Sequence, residues 1–267
     1  MASKLSPQLK ILLIYLILGA LWIYGSDRII ALLFDAAGAI TLAQNIKGWA
    51  FVAVTGGLLY FLVKKDFDAL VAANKEVIDS YEQTITGWIQ VMDLRHQETK
   101  NHTERVTRMT LRLAERAGIT DEKERKRIEQ GAILHDIGKI GIPDEILIKP
   151  DRLNEREWDQ IKLHPLIGYE ILSRITFLES SLDIPYCHHE KWNGQGYPRG
   201  LAGQEIPLAA RLFAVVDVWD ALSHARVYKP AWQEEEVLGY LREEAGRQFD
   251  PDIVTIFLEN YEQIIER

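Results

Sequence analysis

Two stretches near the N-terminus are apolar and free of charge, and they set the first division of the chain. Residues 11–26 and 48–63 are each 16 residues long. A helix needs about 20 apolar residues to cross a bilayer, and flanking lysines can extend a shorter stretch by snorkelling. The pattern therefore predicts two transmembrane helices. A cleaved signal peptide is the alternative for the first stretch, although no small-x-small cleavage site closely follows it.

The basic residues around these stretches predict their orientation. Those outside the pair are Lys4, Lys10, Lys64 and Lys65, and those between the stretches are Arg28 and Lys47. Because basic residues concentrate on the cytoplasmic side, we expect both chain ends in the cytoplasm and a multi-pass protein of the inner membrane. The apolar segment between the stretches is predicted as a loop, with an interfacial helix or a third, orientation-reversing span as alternatives.

A seven-residue repeat over residues 67–92 predicts one long helix. Its two seams are filled by Val71, Ile78, Ile85 and Met92, and by Phe67, Asn74, Tyr81 and Trp88. The seams differ by four residues, as in a parallel two-stranded coiled coil, and a seam asparagine fixes register and strand number. We expect a homodimer through this segment. A helix that packs on its own domain is the alternative.

The rest of the chain has helical signals and no alternating strand pattern, so the predicted fold class is all-α. Thr120 precedes an acidic first turn, and the helix that follows is expected to run up to Gly138. Asn154 and Glu157 form a capping box, and Pro207 begins a further helix. The predicted segments are a membrane anchor (1–63), a coiled-coil linker (64–92) and a helical domain (93–267).

Charge and cysteine content exclude some classes of function. The net charge is −8, and all of the excess lies in residues 93–267, because residues 1–92 contain seven basic and seven acidic residues. An acidic domain lacks the basic surface that binds phosphate backbones, so we expect no DNA or RNA partner. The single cysteine, Cys187, rules out an intramolecular disulfide and a CxxC zinc site, and it is expected to be a small buried residue.

Histidines recur in this domain in a pattern that indicates a metal site. The adjacent histidines of "YCHHEKWNGQGYP" are a poor choice for a packed core, because both imidazoles need hydrogen-bond partners there. "HDIGK" offers an imidazole followed by a carboxylate that can bridge two cations. Glu98 and His102 share one helix face. Asp217 lies in an apolar stretch where a buried carboxylate needs a cation or several donors, and Asp220 follows on nearly the same face.

In combination these motifs resemble one family. "HDIGK", "HPLIGYEIL", "HHEKWNGQGYP" and "ARLFAVVDVWDAL" followed by "RVYKPAW" are similar to HD-GYP domains, a subgroup of the HD metal-dependent phosphohydrolases, over about residues 90–265. The resemblance implies an HD-type helical bundle that hydrolyses the bacterial second messenger cyclic di-GMP to linear pGpG and in many cases to GMP. Asn193 departs from the usual "HHExWDGxGYP" pattern, which raises the question of how the loop is hydrogen-bonded.

The resemblance also implies roles for individual residues. The implied metal ligands are Glu98, His102, His135, Asp136, His164, His188, His189 and Asp217. The implied catalytic residues are His135, Asp136 and Lys139, and the implied substrate-binding residues are Lys139, Gly196, Tyr197, Asp220, Arg226 and Lys229. Family sites that have this glutamate are associated with three metals and those without it with two, so we expect two or three divalent ions, and Glu98 favours three.

The chemistry of phosphodiester hydrolysis agrees with this set. It needs an activated water and neutralisation of phosphoryl charge, which a pair of metal ions supplies. Imidazole and carboxylate ligands without thiolate favour iron or manganese. Arg226 can hold a phosphate with two hydrogen bonds, while Lys139 and Lys229 act as point charges. Trp192 and Tyr197 are expected either to stack on guanine or to fix the loop.

Three functions remain open from the sequence. The first is a membrane-regulated cyclic di-GMP phosphodiesterase, which could also have signalling partner proteins. The second is a signalling adaptor that binds nucleotide or partner proteins without turnover. The third is a phosphohydrolase of another nucleotide, such as a different cyclic dinucleotide. A missing ligand would favour the adaptor, and every implied ligand is present.

Overall fold

The computed structural model describes residues 6–96, 102–224 and 230–266, and the chain divides into two compact units, Met1–Gln83 and Thr84–Arg267. The predicted all-α class is confirmed. Within the described ranges the regular structure is helical, and β-pairing is limited to two isolated bridges, Asn193–Ala202 and Ala245–Phe249.

The helices follow one another with short connections. In the described part of the chain the α-helices are α1 (Pro7–Leu33), α2 (Ala37–His96), α3 (His102–Arg116), α4 (Glu122–Ile133), α5 (Asp144–Leu147), α6 (Glu155–Ile161), α7 (His164–Leu172), α8 (Asp183–Cys187), α9 (Leu208–Ser223), α10 (Glu234–Glu243), α11 (Pro251–Glu259) and α12 (Tyr261–Ile265). The 3-10 helices are η1 (Ile137–Gly141), η2 (Thr176–Ser181) and η3 (Gly203–Glu205).

In the first unit, α1 and α2 extend beyond the two charge-free stretches. The segment predicted as a loop is helical apart from residues 34–36, because it is rich in helix-forming apolar residues and contains no proline. An ion pair between Asp27 and Lys47 and a ring contact between Trp22 and Phe51 join the two helices. By length and composition, α1 and α2 can each cross a membrane.

Helix ends in the second unit match the sequence predictions in part. Asn154 and Glu157 form the predicted capping box, in which each side chain accepts the backbone N–H of the other, at 3.0 and 2.9 Å. The prediction for the helix after Thr120 is wrong at both ends. Its N-cap is Asp121, whose carboxylate accepts a first-turn N–H at 2.9 Å, and the helix ends at Ile133, before the HDIGK motif.

Helix α9 lies at the centre of the second unit and positions one predicted ligand. It begins at Leu208, one residue after the predicted start, with Pro207 as its N-cap, and packs against α3, α8, α10 and α11. Leu212, Phe213 and Val216 are fully buried. Burial of each such side chain contributes about 1.5–3 kcal/mol relative to exposure, which fixes the depth of α9 in the bundle. Asp217, the next residue, is therefore held at a defined place.

Candidate metal centre

Two groups of side chains converge in the second unit. One group is His164, His188 and His189, and the other is His102, His135 and Asp217. Within each group, one ligand atom per residue lies within 4.8 Å of the others. Each group can therefore offer three donors to one metal ion, and together they contain six of the ligands that the sequence resemblance implies.

Asp136 lies between the two groups. Its Oδ2 is 3.0 Å from Nε2 of His135 in one group, and its Oδ1 is 3.3 Å from Nε2 of His164 in the other. A carboxylate with one oxygen toward each group is suited to bridge two cations. Lys139 contacts the same carboxylate, with its Nζ 2.5 Å from Oδ2.

Backbone hydrogen bonds orient three of the imidazoles toward this carboxylate. In each of them Nδ1 lies close to the carbonyl oxygen of a residue three or four positions earlier in the chain. The distances are 2.8 Å for His135, 2.8 Å for His164 and 2.9 Å for His188. A carbonyl can only accept, so Nδ1 carries the proton and the lone pair is on Nε2. An imidazole fixed in this way is arranged to bind a metal through Nε2, so these residues fit the divalent ions that their pattern implies.

The electrostatic environment favours the metal-binding protonation states of Asp136, His188 and His189, but not that of His135. Burial would raise the pKa of Asp136, but His135 and Lys139 hold that pKa well below its usual range. Burial and adjacent imidazoles lower the pKa of His188 to about 3 and move the pKa of His189 in the same direction. Burial also opposes protonation of His135, yet the charge of Asp136 raises its pKa. Ionised carboxylates and neutral imidazoles are the forms that bind metal.

The buried carboxylate of Asp220 orients the imidazole of His102 through its Nδ1 atom. Nδ1 of His102 lies 2.7 Å from Oδ2 of Asp220, and its Nε2 lies 3.4 Å from Oδ1 of Asp217. Arg105 donates to both oxygens of Asp220 at 2.8 Å. Burial would raise the pKa of Asp220, and its bonds to His102 and Arg105 instead lower it to about 2.

This position does not fit the predicted substrate contact of Asp220. The residue is 0% exposed, and both of its oxygens face protein side chains. Arg105, which the sequence analysis missed, is its partner. The one sequence signal was that Arg105 lies three residues after His102 and so shares its helix face.

Close backbone packing joins the HDIGK segment to α7. A Cβ built on Gly138 would lie 1.9 Å from the carbonyl oxygen of His164 and 2.5 Å from the nitrogen of Gly168. No side chain can be accommodated there without displacement of the backbone. The absence of a side chain at Gly138 lets η1 approach α7, and this approach brings Asp136 to His164.

The loop after the paired histidines is organised by Glu190, which the sequence analysis did not single out. Glu190 is 3% exposed, and its two oxygens accept the backbone N–H groups of Arg199 and Leu201 at 2.7 and 3.0 Å. Gly196 lies against the start of the loop, where an added Cβ would be 2.3 Å from the nitrogen of Lys191. Glu190 could have been identified in the sequence from its position in the "HHE" motif.

The loop side chains also bear on two questions from the sequence. Oδ1 of Asn193 accepts the N–H of Gln195 at 3.0 Å, a bond that an aspartate oxygen would accept equally. The ring of Tyr197 stacks on that of His189, with centroids 4.8 Å apart. Backbone bonds of Trp192 tie the loop to residues 203 and 248. The departure at Asn193 therefore preserves the turn.

Four residues named in the sequence analysis remain to be placed. Cys187 is buried, as predicted, and burial raises the pKa of its thiol to about 12. Glu98, Arg226 and Lys229 lie outside the described residues.

Comparison with known protein families places this centre in a defined domain. Residues 86–253, more than half of the chain, match the HD domain. The chain belongs to the HD domain family. This domain implies divalent metal binding, and the two groups of ligand atoms around Asp136 are those that could hold the ions.

Several curated relatives share this HD domain. The chain is 42% identical over 197 residues to a "Cyclic di-GMP phosphodiesterase response regulator RpfG" of Xanthomonas campestris, covering 73% of this chain and 52% of the relative. It is 37% identical over 210 residues to a "Cyclic di-GMP phosphodiesterase" of Thermotoga maritima, covering 76% and 57%. The chain thus spans about half the length of these two relatives.

Other relatives carry a different substrate in their names. A "3'3'-cGAMP-specific phosphodiesterase 2" of Vibrio cholerae is 36% identical over 189 residues, covering 70% of this chain and 36% of the relative. A solved cyclic GMP-AMP phosphodiesterase of the same organism, V-cGAP3, matches with a TM-score of 0.51 at 18% identity, covering 67% of this chain and 48% of that one. This structural match supports the HD fold.

Proposed function

We propose that this protein is an HD-GYP phosphodiesterase that hydrolyses cyclic di-GMP to pGpG and further to GMP. The observation that carries the proposal is Asp136, whose two oxygens face two separate groups of ligand atoms. The names of the Xanthomonas and Thermotoga relatives support the choice of cyclic di-GMP.

The proposed metal ligands are the eight residues implied by the sequence, including Glu98 as the ligand of a third ion. We propose iron or manganese, because the donors are imidazole and carboxylate without thiolate. When bound, these ions supply an activated water and counter-charge for the phosphoryl group.

The chain's own residues hold and orient these groups. Asp136 links the two ligand sets, and Lys139, at 2.5 Å from it, offers a cation beside the phosphate position. Asp220 fixes the tautomer of His102, so we assign it an orienting role. Tyr197 stacks on His189 and limits the motion of that ring. For Gly196, Arg226 and Lys229 the substrate contacts implied by the sequence stay part of the proposal.

A second candidate substrate is 3'3'-cGAMP, because the Vibrio relative named for it is similar at 36% identity. The two cyclic dinucleotides have the same phosphodiester ring and differ in one base. In this proposal the residues around Asp136 contact the phosphates, so discrimination between the bases must come from other side chains. A non-catalytic adaptor is the alternative from a different functional class.

The decisive experiment is turnover by the full chain in detergent. Protein loaded anaerobically with iron or manganese is expected to convert cyclic di-GMP to pGpG and GMP, faster than it converts 3'3'-cGAMP, and to lose activity when the metal is chelated. Metal content near three per chain supports the role of Glu98, and two per chain argues for a binuclear site. A fully metal-loaded chain that turns over neither nucleotide would contradict the proposal and leave an adaptor or a phosphohydrolase of another nucleotide.

We also propose an inner-membrane protein with a cytoplasmic catalytic domain that forms a homodimer through residues 67–92. The apolar seam residues Phe67 and Val71 are more than half exposed in the single chain, which leaves them open to a partner helix. In a Cys187→Ser background, Asn74→Cys is expected to give a disulfide-linked dimer in native membranes. Lys75→Cys, one position outside the seam, is the matched control, and equal cross-linking of both would contradict the coiled coil.

A further inference from the structure

Arg95, in the last turn of α2, binds the backbone that comes after the HDIGK motif. Its Nη1 donates to the carbonyl oxygens of Lys139 and Ile140 at 3.2 and 3.1 Å, and its Nη2 donates to that of Ile142 at 2.7 Å. Its Nε and Nη2 lie 2.8 and 2.7 Å from Oδ1 of Asp144. One side chain thus holds three carbonyls and one carboxylate.

The carbonyls of Ile140 and Ile142 need an external partner, whereas that of Lys139 already accepts the N–H of Ile142 at 3.1 Å. Helix η1 is five residues long, and short 3-10 helices have weak hydrogen-bond geometry and leave carbonyls free at their C-terminal end. A guanidinium offers five N–H donors in a rigid plane, so it can satisfy several neighbouring carbonyls at once. A lysine ammonium at the same place would keep the charge but not this fork.

The segment that Arg95 holds carries two groups of the proposed reaction. Lys139 lies in η1, and Asp136 immediately precedes it, with 2.5 Å between Nζ and Oδ2. Gly138 packs this segment against α7 on one side. The carbonyl bonds of Arg95 restrain its C-terminal end.

We propose that Arg95 is a positioning residue for the phosphodiesterase reaction, acting through the η1 backbone to keep Lys139 and Asp136 in place. This inference rests on the proposed function. The ion pair with Asp144 is the lesser part of the interaction, because the Asp144 side chain is 62% exposed and exposed ion pairs contribute little. The carbonyl bonds are the part that specifies the position of the segment.

The test compares Arg95→Ala, Arg95→Lys and Asp144→Asn with the wild-type full chain in detergent. Arg95→Ala is expected to lower kcat about 10- to 100-fold, since a displacement of about 1 Å at a reacting group has that effect, with KM within about threefold and metal content unchanged. Arg95→Lys should resemble the alanine variant, and Asp144→Asn should stay within about threefold of wild type. Added methylguanidinium should restore part of the rate of Arg95→Ala.

Hydrogen exchange provides a readout that is independent of turnover. Amides in residues 137–142 should exchange faster in Arg95→Ala than in the wild type. The control is Arg127→Ala, which removes a half-exposed arginine of α4 that pairs with Glu124 and should leave these exchange rates unchanged. Wild-type kcat in Arg95→Ala, or unchanged exchange in this segment, would overturn the inference. If Arg95→Ala fails to fold, a wild-type rate in Arg95→Lys overturns it instead. If the wild-type chain hydrolyses no cyclic dinucleotide, the proposed function fails, and the exchange comparison still decides whether Arg95 holds the segment.

Discussion

Asp136→Ala is expected to abolish the phosphodiesterase activity and to lower bound metal at the same time. Asp136 is the one described carboxylate with oxygens near both ligand groups, at 3.0 Å from His135 and 3.3 Å from His164. Its loss removes the link between the groups and the carboxylate that Lys139 contacts. We expect kcat to fall at least about 10³-fold, equivalent to about 4 kcal/mol of transition-state stabilisation. The measurements are turnover of cyclic di-GMP and metal content per chain.

Two further variants show whether the loss of activity comes from the charge of Asp136, from its shape, or from the removal of any carboxylate. Asp136→Asn keeps the shape of the side chain and one oxygen but removes the charge, so it is expected to lose activity nearly as fully as alanine. Asp159→Ala removes an exposed carboxylate that pairs with Lys162, and it should leave both activity and metal content at wild-type values. An Asp136→Ala protein with full metal and full turnover would disprove the bridging role.

The sequence predicts which residue types form the centre better than it predicts how they are held. A pair of adjacent histidines, a His-Asp dipeptide and an aspartate in an apolar helix are unusual enough to suggest a metal site. The structure brings six of the eight implied ligands into two groups. The orienting bonds are harder to predict. Asp220 lies 115 residues from Arg105, and local periodicity shows which helix face each occupies but not which faces meet.

Helix boundaries failed for a related reason. Thr120 and Asp121 are both good N-caps, and the choice between them depends on how the preceding turn meets α3. The end of α4 at Ile133 has no local signal such as proline. The path of the chain after α4 is determined by packing, because η1 must approach α7 closely enough that Gly138 faces the carbonyl of His164. Local sequence patterns do not show which backbone segments come into such close contact, so this helix end could not be predicted from the sequence.

That close approach makes Gly138→Ala the most disruptive small substitution we expect in the domain. The new Cβ would lie 1.9 Å from the carbonyl oxygen of His164 and 2.5 Å from the nitrogen of Gly168, so η1 and α7 must separate. Overpacking of a well-packed interior costs about 1–3 kcal/mol, and a backbone that cannot rotate away puts this site at the upper end of the range. Because separation also moves His164 from Asp136, metal content and activity should fall with stability.

Gly239→Ala is the matched control for this substitution. Gly239 lies inside α10 with nothing within 4 Å of an added Cβ, so alanine there should raise the free energy of unfolding by about 0.5–1 kcal/mol through helix propensity. The measurements are denaturant unfolding of each full chain in the same detergent and metal content by mass spectrometry. The two substitutions add the same methyl group, so opposite signs in the unfolding free energy would isolate the contact with α7 as the cause. A Gly138→Ala chain as stable and as metal-loaded as wild type would show that η1 can shift without cost, and that the distance from Asp136 to His164 does not depend on this contact.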